Sequence, residues 1–325
     1  MRLGQRKTKS VSSLWPILGC FLISSIINPL APSAQPSRRS SISVGGLERT
    51  YQLYLPLSHD SSKAMPVVLL LHGGGGTGHG MEKLTLGGFN RISDREGIIV
   101  LYPDGIEKHW NDGRGLEAFR AQRENIDDVG FISALMDHLI KTYPVDATRI
   151  YAAGISNGGL FSQRLACELS ERVAAIGVVA TQMPEHLTSS CTPKRPVSIL
   201  IMSGTEDPLV PWEGGEIGFK RGQKFGRVLS VSESLKFWTS KNQCPSSPMI
   251  RSEPDRDPKD GTRIHRTIYR PCSQETEVVL FTVEGGGHTW PCGDQYLPVW
   301  LVGRTSKDMD ANEVIWDFFK RHSLR

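Results

Sequence analysis

Hydrophobic positions along the chain fall into short unbroken runs separated by stretches in which they recur every three or four residues. Residues 67–71, 98–102, 150–153, 173–179 and 197–202 are of the first kind, the mark of strands buried on both faces of a parallel sheet. Residues 50–56 alternate instead, with Tyr51, Leu53 and Leu55 on one side, as a half-buried edge strand does. Helical spacing predicts helices over 81–96, 127–143, 157–169, 227–243 and 310–322. Ser230 with Glu233, and Asp310 with Glu313, read as capping boxes for the last two, and Asp127 and Asp128 as acids that suit a helix start. Two further strands, 263–269 and 277–283, flank a turn-rich linker. Strands and helices thus alternate, which predicts an α/β domain with a mostly parallel central sheet and helices on both faces.

The N-terminus departs from this pattern. Arg2, Arg6, Lys7 and Lys9 precede a broken apolar run over 14–27, and small residues follow around 29–35. This is the layout of an export signal, with an uncleaved membrane anchor as the alternative. We therefore expect 1–34 to be a signal or membrane-directed segment, 35–46 a disordered Ser-, Pro- and Arg-rich lead-in, and 47–325 a single catalytic-sized domain. The net charge of +4 owes much to the first forty residues, which hold six basic residues and no acid. The body is close to neutral and has no basic patch interleaved with aromatics, so nucleic acid is not an expected partner.

Candidate chemistry sits at the ends of the predicted strands. The run 150–153 leads into Gly154-Ile155-Ser156-Asn157-Gly158, after which Leu160, Phe161, Leu165 and Leu169 keep helical spacing. This GxSxG sequence between a strand and a helix is the context of a nucleophile elbow, in which a strained serine needs small neighbours because a Cβ would strike the adjoining strand and helix. Ser156 is the expected nucleophile, and the Asn157 backbone N–H one donor of an oxyanion hole. Strand 67–71 ends in His72 and the glycine run 73–76, where Gly74 and Gly75 are expected to supply the second donor and His72 to shape the loop. A phosphate-binding loop would need a Lys-Ser/Thr pair that is missing here. Strand 197–202 ends near Glu206 and Asp207. An acid there, downstream of the elbow, is placed to orient a histidine; Asp207 is the first choice and Glu206 the reserve. His288 follows strand 277–283 and three glycines that leave it room to reach the elbow. The order Ser, Asp, His at successive strand ends is that of the α/β-hydrolase fold. No cofactor motif is complete, and no Cys or His spacing suits a metal.

Five cysteines follow the N-terminal segment. Cys167 and Cys191 form one candidate disulfide and Cys244 and Cys272 another, each closing roughly 25 residues and stabilising by about 3 kcal/mol in the loop-entropy picture. Five separate thiols are the alternative that spacing leaves open. Trp110, in an aperiodic polar loop over 109–114, is a candidate for the substrate cleft, with core burial as its alternative.

Taken together, LHGGGGTG (71–78), YPDG (102–105), HWNDGRG (109–115), DDVGF (127–131), GISNGG (154–159), GTEDPLVPWEGG (204–215) and EGGGHTWP (284–291) resemble the secreted polyhydroxybutyrate depolymerase-like and feruloyl esterase-like serine esterases. The resemblance spans about residues 47–320. It implies a secreted serine carboxylesterase with Ser156, Asp207 and His288 as its triad, paired cysteines, and a small-molecule or polymer ester as substrate; no stable membrane partner is expected after signal removal. The ester would be a polyester oligomer or a feruloyl- or acetyl-bearing cell-wall ester, with Trp110, Trp212 and Trp290 as stacking platforms. Cys292 departs from the family pattern, which tends to have glycine after HTWP. The rival readings are a non-catalytic binding protein on the same fold and a peptidase.

Overall fold

A computed structural model describes residues 36–57, 62–219 and 221–325; the expected export segment lies outside them. Twelve strands occur among these residues: β1 (Arg38–Val44), β2 (Leu47–Tyr54), β3 (Met65–Leu71), β4 (Ile99–Pro103), β5 (Val145–Ile155), β6 (Ala175–Val179), β7 (Ser198–Gly204), β8 (Gly215–Glu216), β9 (Arg227–Val228), β10 (Met249–Ser252), β11 (Arg263–Tyr269) and β12 (Val278–Glu284). The helices are α1 (Gly78–Leu84), α2 (Gly88–Glu96), α3 (Arg120–Arg123), α4 (Asp128–Thr142), α5 (Asn157–Glu168), α6 (Val231–Lys241), α7 (Val299–Val302) and α8 (Ala311–Phe319).

Ten strands form one sheet in the order β1-β2-β4-β3-β5-β6-β7-β12-β11-β10. The stretch from β4 to β12 is parallel throughout, and antiparallel strands close both ends. The unbroken apolar runs follow from this burial on two faces. In β3, Val67, Leu69 and Leu71 point into one core with Phe161 of α5 and Trp238 of α6. Val68 and Leu70 point into the other, with Phe89 of α2 and Phe319 of α8. This is the architecture of an α/β-hydrolase, and the C-terminal ends of β3, β5, β7 and β12 converge on one edge.

Four expectations are corrected. The lead-in is not disordered over 38–44: these residues pair with β2 in register Arg38↔Leu53 to Val44↔Leu47. Gly45 and Gly46, both at positive φ, make the tight turn between them, and Ile42 and Val44 pack on the core. A glycine pair between alternating segments is the hairpin signal that the low hydrophobicity of 35–46 concealed. The helix expected over 81–96 is two helices, because Leu86 and Gly87 adopt positive φ and interrupt the hydrogen-bond ladder. At α8, Asp310 caps Asn312 N–H, but Glu313 reaches out to Arg95 at 2.7 and 2.9 Å. The capping box at Ser230 and Glu233 does form.

Asp128, expected as a cap, is fully buried instead and pairs with Arg49 at 2.6 Å, while Asp127 caps Gly130 N–H. Among the described residues no helix is long and apolar enough to cross a membrane.

Candidate active site

The turn from β5 into α5 is held by backbone contacts on every side. Ser156 sits at φ 54°, ψ −122°, a region that costs a non-glycine residue about 1–3 kcal/mol. Its N–H donates to Val179 O at 2.9 Å and its carbonyl accepts from Leu160 N. A Cβ on Gly154 would come within 2.4 Å of the Gly158 carbonyl carbon, and one on Gly158 within 2.2 Å of Leu71 O. Both glycines are therefore required so that β3, β5 and α5 can approach to backbone contact. Asn157 is the first residue of α5, so its N–H has no intrahelical acceptor.

β7 and β12 are parallel neighbours, and their trailing loops meet. His288 Nδ1 lies 2.7 Å from Asp207 Oδ2, with both side chains almost fully buried. Asp207 Oδ1 accepts from Leu209 N and Val210 N, each at 2.8 Å, which fixes the carboxylate plane. Glu206 points away, to Arg304 at 3.1 Å. The glycines before His288 do not leave a loose reach. Space for a Cβ is closed at Gly287 by Val302 O at 2.2 Å, and at Gly204 by Gly286 O at 2.3 Å. They let the two loops pack, and His288 N–H donates to Val302 O at 2.6 Å.

The glycine loop after β3 is built around a neutral imidazole. Gly105 N–H donates to His72 Nε2 at 3.0 Å, so the proton sits on Nδ1, which donates to Gly73 O at 2.8 Å. Burial pushes the His72 pKa down to about 4. Gly75 is corrected as an oxyanion donor: its N–H is already given to Lys108 O at 2.9 Å. Gly74 stands beside the elbow, where a Cβ would lie 3.8 Å from Asn157 Cβ. Gly73 lies nearer to the serine itself, where a Cβ would come within 3.5 Å of Ser156 Cβ.

Ser156, Asn157, His288 and the glycine loop line one cavity of about 600 Å³. Its wall is apolar and aromatic. His109 stacks on Phe119 with ring centroids 3.9 Å apart, and Phe119 on Phe225 at 5.5 Å. Leu209, Ile217 and Leu301 complete much of the rest. Tyr296 also lines it and donates its hydroxyl to His288 O at 2.9 Å. Burial and then the charge of Asp207 push the Tyr296 pKa up.

The three tryptophans are not part of this wall. Trp110 is fully buried, stacked on Phe161 at 5.0 Å, with its indole N–H on His72 O. Trp290 is fully buried with its N–H on Asn312 Oδ1. Trp212 packs half-buried against the core. Phe119, Phe225 and Tyr296 line the cavity instead; they come from aperiodic loops, and no local pattern singles them out.

Disulfides join Cys167 to Cys191 and Cys244 to Cys272, the first tying α5, the helix behind Ser156, to the loop before β7. Cys292 is a free thiol at φ 55°. The left-handed backbone there is one that glycine adopts without strain, and burial raises the thiol pKa.

Residues 49–191 match the family model described as esterase PHB depolymerase. The putative esterase NocK of Nocardia uniformis subsp. tsuyamanensis is 29% identical over 297 residues, covering 89% of this chain and 84% of that protein. Feruloyl esterase B of Piromyces equi is 26% identical over 276 residues, covering 83% of this chain but only 44% of its own length. A probable feruloyl esterase C of Aspergillus terreus is 24% identical, with 93% and 94% covered. Among solved structures, an acetyl xylan esterase from Aspergillus awamori superposes with a TM-score of 0.57 at 15% identity, covering 87% of this chain and 99% of that one. That likeness shows the fold.

Proposed function

We propose that the chain is a carboxylesterase of the PHB depolymerase-like and feruloyl esterase-like kind, a reading supported by the family match over 49–191 and by its esterase relatives, and that it hydrolyses esters through an acyl-enzyme on Ser156. The observation that carries the reading is the Asp207–His288 pair lining up behind the same cavity as the strained serine. With Nδ1 committed to Asp207, the Nε2 of His288 is the nitrogen left to take a proton from Ser156 Oγ as it attacks the ester carbonyl. The N–H groups of Gly74 and Asn157 stabilise the oxyanion. His288 then protonates the departing alkoxide, and the same cycle with water in place of the serine releases the acid. Asp207 holds the ring tautomer and offsets the imidazolium charge.

The aromatic and aliphatic wall suits an acyl group with an apolar or aromatic body. Polyester oligomers and feruloyl-type cell-wall esters both fit that description; the stacked Phe119–Phe225 surface favours the flat aromatic acyl group. The two disulfides, together with the signal-like N-terminal sequence, support export to an oxidising compartment. The test is Ser156→Ala. Turnover of p-nitrophenyl acetate and methyl ferulate is expected to fall by roughly three orders of magnitude or more, with the thermal melt nearly unchanged. A variant that keeps more than a tenth of the activity would remove Ser156 from the mechanism.

A further inference from the structure

The loop after β4 brings a buried carboxylate to the elbow. Asp112 is fully buried, and its Oδ2 accepts from Asn157 Nδ2 at 2.5 Å. The same carboxylate takes Arg114 Nε at 2.9 and 3.0 Å and Nη2 at 2.7 Å, and Gln122 Nε2 at 3.2 Å. The Asn157 carboxamide is held at its other end, where Oδ1 accepts from Trp110 N at 2.8 Å. Arg114 is also nearly buried, and its Nη1 donates to the carbonyl of Phe225 in the cavity wall.

A buried ion pair is weak grounds for inferring stability, because desolvation offsets most of the attraction. The placement of this one is more specific. It touches the residue whose backbone N–H is one oxyanion donor, and through one guanidinium it touches the backbone of an aromatic wall residue. We propose that Asp112 is a positioning residue of the ester-hydrolysing site. By holding the Asn157 side chain and the Arg114 guanidinium together, it fixes the first turn of α5 against the wall that receives the acyl group. This rests on the reading of Ser156 as nucleophile. Asp112 itself meets neither substrate nor the reacting atoms; it acts through Asn157.

The direct test is Asp112→Asn, which keeps the shape and removes the charge, read with p-nitrophenyl acetate as substrate and an arylboronic acid as a tetrahedral adduct former on the serine. A fall in kcat of about 10- to 100-fold is expected, somewhat less than removal of a whole oxyanion donor, with KM changed by less than about threefold. The boronate Ki is expected to rise by a similar factor to the fall in kcat. That readout separates positioning from simple loss of folded enzyme, which lowers apparent kcat and leaves Ki alone. In an Asn157→Ala background the same substitution is expected to have little further effect. An unchanged kcat, an unchanged Ki beside a lowered kcat, or full additivity with Asn157→Ala would overturn the positioning role. If Ser156→Ala itself stayed active, the nucleophile assignment would fall first and this inference with it.

Discussion

His72 shows how much one side chain can settle. Its ring bridges Gly73 O and Gly105 N, and its carbonyl holds Trp110, so three loop segments share one residue. Its folded pKa of about 4 lies below the ordinary value of 6.5. The unfolded chain therefore takes up a proton below pH 6.5 that the folded chain refuses. The contribution is fully present above pH 6.5 and is lost as pH falls toward 4, on the order of 3 kcal/mol across the window. Urea melts at several pH values are expected to show this loss in the wild type and a shallower slope in His72→Gln; parallel profiles would contradict it. The sequence places His72 in this role because a histidine between a core strand and a glycine run has little room to be anything else. It does not reveal that Trp110 would turn inward, since an aromatic residue in a polar loop carries no mark of which way the loop folds.

At the scale of elements, the strands were legible because burial on both faces writes an apolar run into each. The helix break at Leu86–Gly87 and the β1 hairpin were harder, as both depend on a few residues at positive φ rather than on periodicity. The same holds for the start of α4, where Asp128 has the sequence position of a capping acid and the environment of a core ion pair. Arg49 from β2 lies over the Phe131 ring at 3.9 Å as well as on Asp128, and Asn111 N–H donates to the other carboxylate oxygen at 2.7 Å. Removing only the cation leaves a buried carboxylate without its charge partner. Arg49→Met is thus expected to cost about 3–5 kcal/mol in denaturant unfolding, much more than a surface arginine. A cost below about 1 kcal/mol, the usual range for an exposed pair, would show that the pair is not what ties β2 to α4.

Across the whole molecule, the parallel order of β3, β5, β7 and β12 delivers the glycine loop, the elbow, Asp207 and His288 to one edge of the sheet. Each of these lies just past a strand end, and that is why their positions could be read along the chain. The cavity wall could not, because Phe119, Phe225 and Tyr296 are drawn from separate loops that only tertiary packing assembles. The central claim is covalent: turnover passes through an acyl group on Ser156. The measurement that tests it most directly is peptide mapping by mass spectrometry of enzyme acid-quenched during turnover of a p-nitrophenyl ester. The account expects the acyl mass on the peptide containing Ser156 and its absence from Ser156→Ala. Acylation of another nucleophile such as Cys292, with activity surviving in Ser156→Ala, would contradict it.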